Sequence, residues 1–360
     1  MTTRTLFLLK RREDYSQDPS YSGSYQIATG MFNSSKFVVD ELQAAGREAQ
    51  LGLVVDGNSI DAAVMAYNPT HVIIEGLWVV PSKFAELMSL GRHKNAHNGA
   101  GRKWIVRLHS EIPFIATEGI AMGWEAEYAK LGVIIAPNAP RAHQQVLWHI
   151  QNLVDTTLPD TPENLVPYLP NCFPTNFEPI NLQALDTSAK TTIDIGCFGA
   201  FRPLKNHLQQ AFVAARYAKS IGKQLRFHIN GRMDAGGQAP MKNTIQMLES
   251  VGAEVVEHGW EDRETFLESL RNVDVLFQMS MTETFNIVAA DAILVGTPVL
   301  ASNEINWLYP LYADPQDVDD ALQKLSILMS SKAFFVKGSR TGLKRYAKNS
   351  VKAWLNYLPA

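Results

Sequence analysis

Cysteine is nearly missing from this 360-residue chain, where Cys172 and Cys197 are the only two. Two cysteines cannot build a disulfide framework or a four-ligand structural zinc site. No apolar run reaches the roughly 20 residues of a membrane-spanning helix. Met1 to Lys10 leads directly into Arg11 and Arg12, without the layout of a secretory signal. These gaps predict a soluble, cytoplasmic protein. Internal sequence repeats are missing too. Acid is lacking from Ala321 to Ala360, where Lys324, Lys332, Lys337, Arg340, Lys344, Arg345, Lys348 and Lys352 all stand. Taking those eight from the chain's 33 basic side chains leaves 25 against 36 acidic ones in the first 320 residues, a net of −11 beneath an overall −3. Such segregation suits an anionic partner, or a terminal helix with a solvated basic face.

What is present is alternation. Short apolar segments such as Thr5–Leu9, Leu51–Val55, Val72–Glu75, Trp104–His109 and Val133–Ala136 read as strands. Segments with helical spacing lie between them: a helix capped at Asn33 or Ser34, then Ser59–Tyr67, Pro81–Leu90, Ile120–Leu131 and Pro140–Asn152. A long polar loop through Tyr15, Tyr21, Ser22, Gly23 and Gly30 follows the first strand. Leu158 to Pro179 interrupts the pattern with Pro159, Pro162, Pro167, Pro170, Pro174 and Pro179, too many for a long helix. Alternation then restarts, with strands at Ile193–Phe198, Gln224–Asn230, Glu254–Val256 and Asp274–Phe277, and helices at Asn206–Ser220, Ala239–Ser250 and Glu264–Leu270. The tail reads as helical from Pro315 to Met329 and from Lys332 to Tyr357. This order predicts α/β architecture with parallel sheets covered on both faces. The expected divisions are residues 1–170, 171–335 and 336–360.

Two stretches carry chemistry. The first is Phe277 to Ser302, read as strand, loop, helix, Gly-Thr-Pro break and strand. It sets Glu283 at the mouth of a helix expected to begin at Phe285, with Asp291 inside it, roughly 9 Å further along. A ligand whose anion meets the helix N-terminus, and whose polar ends reach two carboxylates, suits that spacing. The second is Gly199-Ala200-Phe201-Arg202-Pro203-Leu204-Lys205-Asn206, beyond the carboxyl end of a strand where open parallel sheets bind ligands. Arg202 and Lys205 there can neutralise a diphosphate, one by a bidentate fork and the other as a point charge. Cations at a helix N-terminus oppose its dipole, so a bound anion accounts for them.

The first stretch resembles the E-x7-E region of retaining nucleotide-sugar glycosyltransferases with the GT-B fold. Glu283, Phe285, Gly296, Pro298 and Val299 match the family pattern; Thr284 and Asn286 replace glycines, and Asp291 replaces the second Glu. Phe-Arg-Pro-Leu-Lys-Asn similarly resembles the family's phosphate segment, and Tyr168-Leu169-Pro170-Asn171 its domain crossing. The resemblance implies two Rossmann-like domains facing each other across a cleft, with a C-terminal helix crossing back to the first. It implies a nucleotide-diphosphate sugar, UDP- or GDP-linked, as donor. Gly199, Arg202, Lys205, Thr284, Phe285, Asn286, Asp291 and Gly30 would surround the donor. Glu283, Arg202, Lys205 and His109, the last in Arg107-Leu108-His109-Ser110-Glu111, would carry catalysis. Arg107, Glu111 and Glu118 surround His109 as candidates for sugar hydroxyls or the acceptor, and Arg92, Lys94, Arg102 and Lys103 lie on a glycine-rich loop that is either plain surface or suited to an anionic acceptor.

The resemblance implies sugar transfer without a metal and with retention. The acceptor stays open between a small molecule, a glycan, a protein and DNA. Some bacteriophage members modify hydroxymethylated bases, and the basic tail suits such a polyanion. A third alternative is a binding or scaffold protein that keeps the fold without activity, supported by Asn286 and Asp291.

Overall fold

A computed structural model of the chain describes residues 3–10, 30–117, 121–181, 185–231, 236–259 and 261–358. The chain divides into two compact units, Met1–Phe173 with Ala347–Ala360, and Pro174–Tyr346. The change falls inside the proline-rich segment.

The first unit holds strands β1 (Arg4–Lys10), β2 (Glu48–Val54), β3 (His71–Glu75), β4 (Lys103–Leu108) and β5 (Ile134–Pro137). Its helices are α1 (Gly30–Ala44), α2 (Ile60–Tyr67), α3 (Pro81–Ser89), α4 (Gly91–Lys94), α5 (Ile112–Ile115), α6 (Ala121–Leu131), α7 (Pro140–Gln151) and α8 (Pro162–Leu165). All pairings are parallel, in the order β2-β1-β3-β4-β5. The central strands are apolar on both faces because helices cover both: Phe7, Leu8, Ile73, Ile74, Ile105 and Val106 are wholly buried.

The second unit repeats the plan with β6 (Thr192–Cys197), β7 (Gln224–Asn230), β8 (Glu254–His258), β9 (Val275–Gln278) and β10 (Val299–Ala301). Between and after them come α9 (His207–Ser220), α10 (Gln238–Ser250), α11 (Arg263–Arg271), α12 (Ile287–Val295), α13 (Val318–Ser330) and α14 (Lys332–Tyr357). Its sheet, also parallel, runs β10-β9-β6-β7-β8. The chain order therefore reverses between β6 and β9, and ligands of open α/β sheets settle beyond such a reversal. The two Rossmann-like sheets expected from the alternation are both present.

Several boundaries move. Gly30, expected in a loop, is the first residue of α1, and the loop before it through Tyr15, Tyr21, Ser22 and Gly23 lies outside the described residues. The helix expected from Pro315 starts at Val318, because the Asp317 side chain accepts from the amides of Asp319 and Asp320. The glycine-rich loop from Arg92 to Lys103 is fastened down. Arg92 pairs with Asp61 at 2.6 Å, and Arg102 is buried against His93, Asn68 and the Pro69 carbonyl. Those two arginines serve the unit's own packing, which corrects their assignment to an acceptor.

Gly342, inside α14, marks a close approach: a Cβ there would overlap the Trp307 carbonyl oxygen. Gly342→Ala should destabilise the second unit by about 1–3 kcal/mol through overpacking. Thermal unfolding checks this, and an unchanged midpoint would mean that backbone yields freely.

Candidate active site

In the second unit, the loops after β6 and β9 are stitched to each other. The Met281 amide donates to Leu204 O at 2.8 Å. Asn206 Nδ2 donates to Pro315 O at 2.7 Å and to Met279 O at 3.3 Å. Gln210 donates to Lys205 O and accepts from the Met279 amide. These bonds fix the Arg202–Lys205 turn against the Ser280–Asn286 loop. Pro203–Lys205 forms a single 3-10 turn, and α9 starts only at His207, because Asn206 adopts a left-handed conformation with φ 60°.

Lys205 Nζ and Glu283 Oε1 are 2.5 Å apart, so two residues read from separate motifs meet in one ion pair. The Glu283 side chain is 7% exposed and that of Lys205 27%, which leaves the ammonium as the more accessible partner. Asn286 Nδ2 donates to Glu283 Oε1 at 3.0 Å and to Gln278 Oε1 at 2.8 Å, and Gln278 Nε2 donates to Phe198 O. The carboxylate is thus held from two sides and tied to the ends of β9 and β6. Arg202 stands half-buried on the same turn. Gly199 has φ 117°, and its amide donates to Asn230 Oδ1 at 2.8 Å. A Cβ at Gly199 would meet nothing within 4 Å, so backbone stands open there.

The helix expected from Phe285 begins at Ile287. Asn286, φ 59°, occupies the N-cap in a left-handed conformation, and its Oδ1 accepts from the Ala289 amide at 2.8 Å. Asparagine tolerates that region better than any residue but glycine, which explains how it stands where the related pattern has Gly. Phe285 is buried, with its ring stacked on Tyr346 at 4.9 Å and tilted against Trp307. Its ring therefore belongs to the core and not to a ligand surface. Thr284, half-buried, precedes it.

Asp291 is almost fully buried in α12 and pairs with Arg263 Nη2 at 2.5 Å. Burial pushes its carboxyl up to about 6, against the pull of Arg263. Sequence reading passed over Arg263. Its signal was faint, since only the left-over charge of an Asp in an apolar helix called for a cation.

His109, Gly30 and Arg107 belong to the first unit. There Glu75, wholly buried at the end of β3, receives His109 Nε2 at 2.5 Å and Arg107 Nη1 at 3.2 Å. Burial alone would raise the Glu75 carboxyl; Arg107 and His109 outweigh it and hold the group below its usual range. For His109, burial prevails over the pull of Glu75, so the ring stays neutral more readily than a free histidine. With Nε2–H donating to Glu75, Nδ1 accepts from Asn138 Nδ2 at 3.3 Å. Arg107, also wholly buried, donates to Leu169 O and Asn171 Oδ1 and lies 5.4 Å from the Trp354 ring centroid. The Trp354 indole donates to Pro170 O. Arg107 therefore anchors the Tyr168–Asn171 segment and is not free for sugar hydroxyls, a correction. Glu111 pairs with Arg141, and Glu118 lies outside the described residues. Among the described residues no group of three or more His, Cys, Asp or Glu side chains could hold a metal ion. Among the described residues no helix is long and apolar enough to cross a membrane.

Residues 145–307 match the family model described as family 4 glycosyltransferase in conflict systems. The fold is similar to that of sucrose-phosphate synthase from Thermosynechococcus elongatus, at 13% identity and TM-score 0.68 over 99% of this chain and 98% of that one. The chain has the GT-B fold. Its sheets are likewise similar to those of OtsA, at 10% identity and TM-score 0.67 over 99% and 100% of the two chains. Anabaena Alr3699/HepE, in a complex with UDP-glucose, shares 12% identity with this chain at TM-score 0.61, over 98% of this chain and 97% of that one. No curated protein sequence matches.

Asn286 supplies the local prediction. Asn286→Ala should lose both the cap and the tolerated left-handed backbone, costing about 2 kcal/mol, whereas Asn286→Gly should cost no more than about 1. Equal costs in chemical denaturation would show that the backbone conformation is not what selects asparagine.

Proposed function

We propose that the chain is a glycosyltransferase that moves a sugar from a nucleoside-diphosphate sugar to an acceptor hydroxyl, with retention and without a metal. The observation that carries the reading is the Lys205–Glu283 pair, held by Asn286 at the reversal of the second sheet. In the reaction the bond from the anomeric carbon to the diphosphate oxygen breaks as the acceptor oxygen bonds that carbon. The acceptor proton passes to the departing diphosphate. Arg202 and Lys205 stabilise the negative charge that grows on the leaving group, in place of a metal ion. Glu283, fixed by Asn286, accepts hydrogen bonds from sugar hydroxyls and orients the donor. Gly199 lets the nucleotide's phosphates approach the backbone closely. Asp291 acts on the nucleotide end of the donor through the arginine it holds, Arg263. In the first unit, His109 Nδ1 is the group best suited to a sugar, since its long bond to Asn138 can be exchanged for one from a hydroxyl. UDP is the nucleotide best supported, by analogy with the HepE complex.

Arg202→Ala should lower donor turnover by about two orders of magnitude with the fold intact. Unchanged turnover in the folded variant removes Arg202 from the site. Glu283→Gln should damage turnover more than Asp291→Asn, which should mainly weaken nucleotide binding. Turnover and nucleotide dissociation constants measured on both variants decide it, and the reverse ranking exchanges the two roles.

A second reading, a polyanionic acceptor such as DNA, is favoured by one observation. Lys344, Arg345, Lys348 and Lys352 are all exposed on the acid-free segment. Replacing all four with Gln should then flatten the salt dependence of transfer, because fewer counterions are released, while donor hydrolysis stays the same. An identical salt slope in both proteins sinks the polyanion.

A further inference from the structure

A second ligand site lies within the Pro174–Tyr346 unit, on α14. A pocket of about 560 Å³ is lined by Phe177, Ile180, Lys337, Arg340, Thr341 and Lys344. Its volume is that of a small-molecule site. Its cations are not equivalent. Arg340 is spent on structure: it donates to the carbonyls of Ile293 and Leu294 at 3.0 Å each, and to Glu178 O at 2.6 Å. It thereby caps the carbonyl end of α12, where the helix dipole favours a positive charge. Lys337 and Lys344 are exposed and make no ion pair among the described residues. The nearby carboxylate of Glu178 is already taken by Arg271 at 2.5 Å.

The two lysines stand two helical turns apart, roughly 10 Å along the axis. Their stems are long enough for both ammonium groups to converge on one anion between them. Thr341 lies on the same face, three residues before Lys344, and its hydroxyl now donates to Lys337 O at 3.1 Å. Rotation would turn that donor toward an anion. Phe177 and Ile180 supply an apolar wall, and the Lys344 ammonium already sits 5.3 Å from the Phe177 ring centroid. A bare inorganic anion would leave this wall unused. Of the pocket's three cations two are uncommitted, a charge that suits one phosphate group.

We propose that this pocket binds a phosphate monoester. The phosphate sits between Lys337 and Lys344 and receives the Thr341 hydroxyl, and the organic portion lies on Phe177 and Ile180. The site is at the carbonyl end of α12, whereas Asn286, Glu283 and Lys205 are at its amide end, roughly 13 Å away along the helix. It is therefore separate from the donor site and stands whether or not the donor reading does.

Calorimetric titration with phenyl phosphate tests it on the full chain, with inorganic phosphate, phenol and a ten-residue oligothymidylate as comparisons. Phenyl phosphate should bind at least fivefold more tightly than inorganic phosphate, and phenol should not bind. Lys337→Gln with Lys344→Gln should weaken phenyl phosphate at least tenfold; both positions are exposed, so thermal stability should hold. Arg202→Ala should leave this binding unchanged. Phenyl phosphate affinity that survives the double substitution, or that vanishes with Arg202→Ala, overturns the proposal in favour of the donor site. Oligothymidylate that binds through the two lysines where phenyl phosphate does not would overturn it in favour of a nucleic-acid surface.

Discussion

The second unit turns on one ion pair, Lys205 with Glu283, and on what keeps it from being an ordinary surface contact. An exposed Lys–Glu pair is worth little, because water screens it and two long side chains must be ordered. Here the carboxylate is almost buried, Asn286 donates to the same oxygen, and Gln278 ties Asn286 to the end of β6. Ordering has been met by the fold before any ligand arrives. The ammonium, more accessible than its partner, can share its charge with an incoming phosphate without leaving Glu283. Removing Lys205 would strand a buried carboxylate, so the pair constrains both loops together.

The replacements that favoured a non-catalytic scaffold read differently once their geometry is known. Asn286 keeps the left-handed turn that glycine would give, and adds a cap on α12 and a bond to Glu283. Nothing is lost there except backbone freedom. Asp291 is shorter than Glu, and the length it lacks is made up by Arg263, which meets it at 2.5 Å. Burial pushes the Asp291 carboxyl up to about 6 even with the pull of Arg263, without which it would stand higher.

The sheets were legible in the sequence because buried parallel strands are apolar on both faces, and segments such as Val72–Glu75 and Trp104–His109 announce themselves by composition. The meeting of Lys205 with Glu283 was legible only in outline, through two motifs at the ends of different strands. Three things were hidden. Periodicity cannot reveal a left-handed asparagine, so α12 and α9 each seemed to begin one or two residues early. Arginine reads as surface, so Arg102 and Arg107 were read as candidate ligand groups, whereas Arg102 donates to Pro69 O and the Asn68 side chain, and Arg107 to Leu169 O and the buried Glu75. Arg263 had no motif at all, and its meaning comes wholly from Asp291 across the packing of α11 on α12.

Helix α12 joins these observations. Asp291 apart, its residues are apolar, and it is buried from Ala289 to Val295, which leaves its two ends and the Arg263 contact as the places where charge can act on it. At the amide end Asn286 caps it and holds Glu283; at the carbonyl end Arg340 takes its last carbonyls, beside Phe177 and the two unpaired lysines. A helix so enclosed moves as a rigid body or not at all, because its neighbours are packed too densely to let it bend. Asn286 and Arg340 thus hold opposite ends of one helix, and Asn286 holds Glu283 as well.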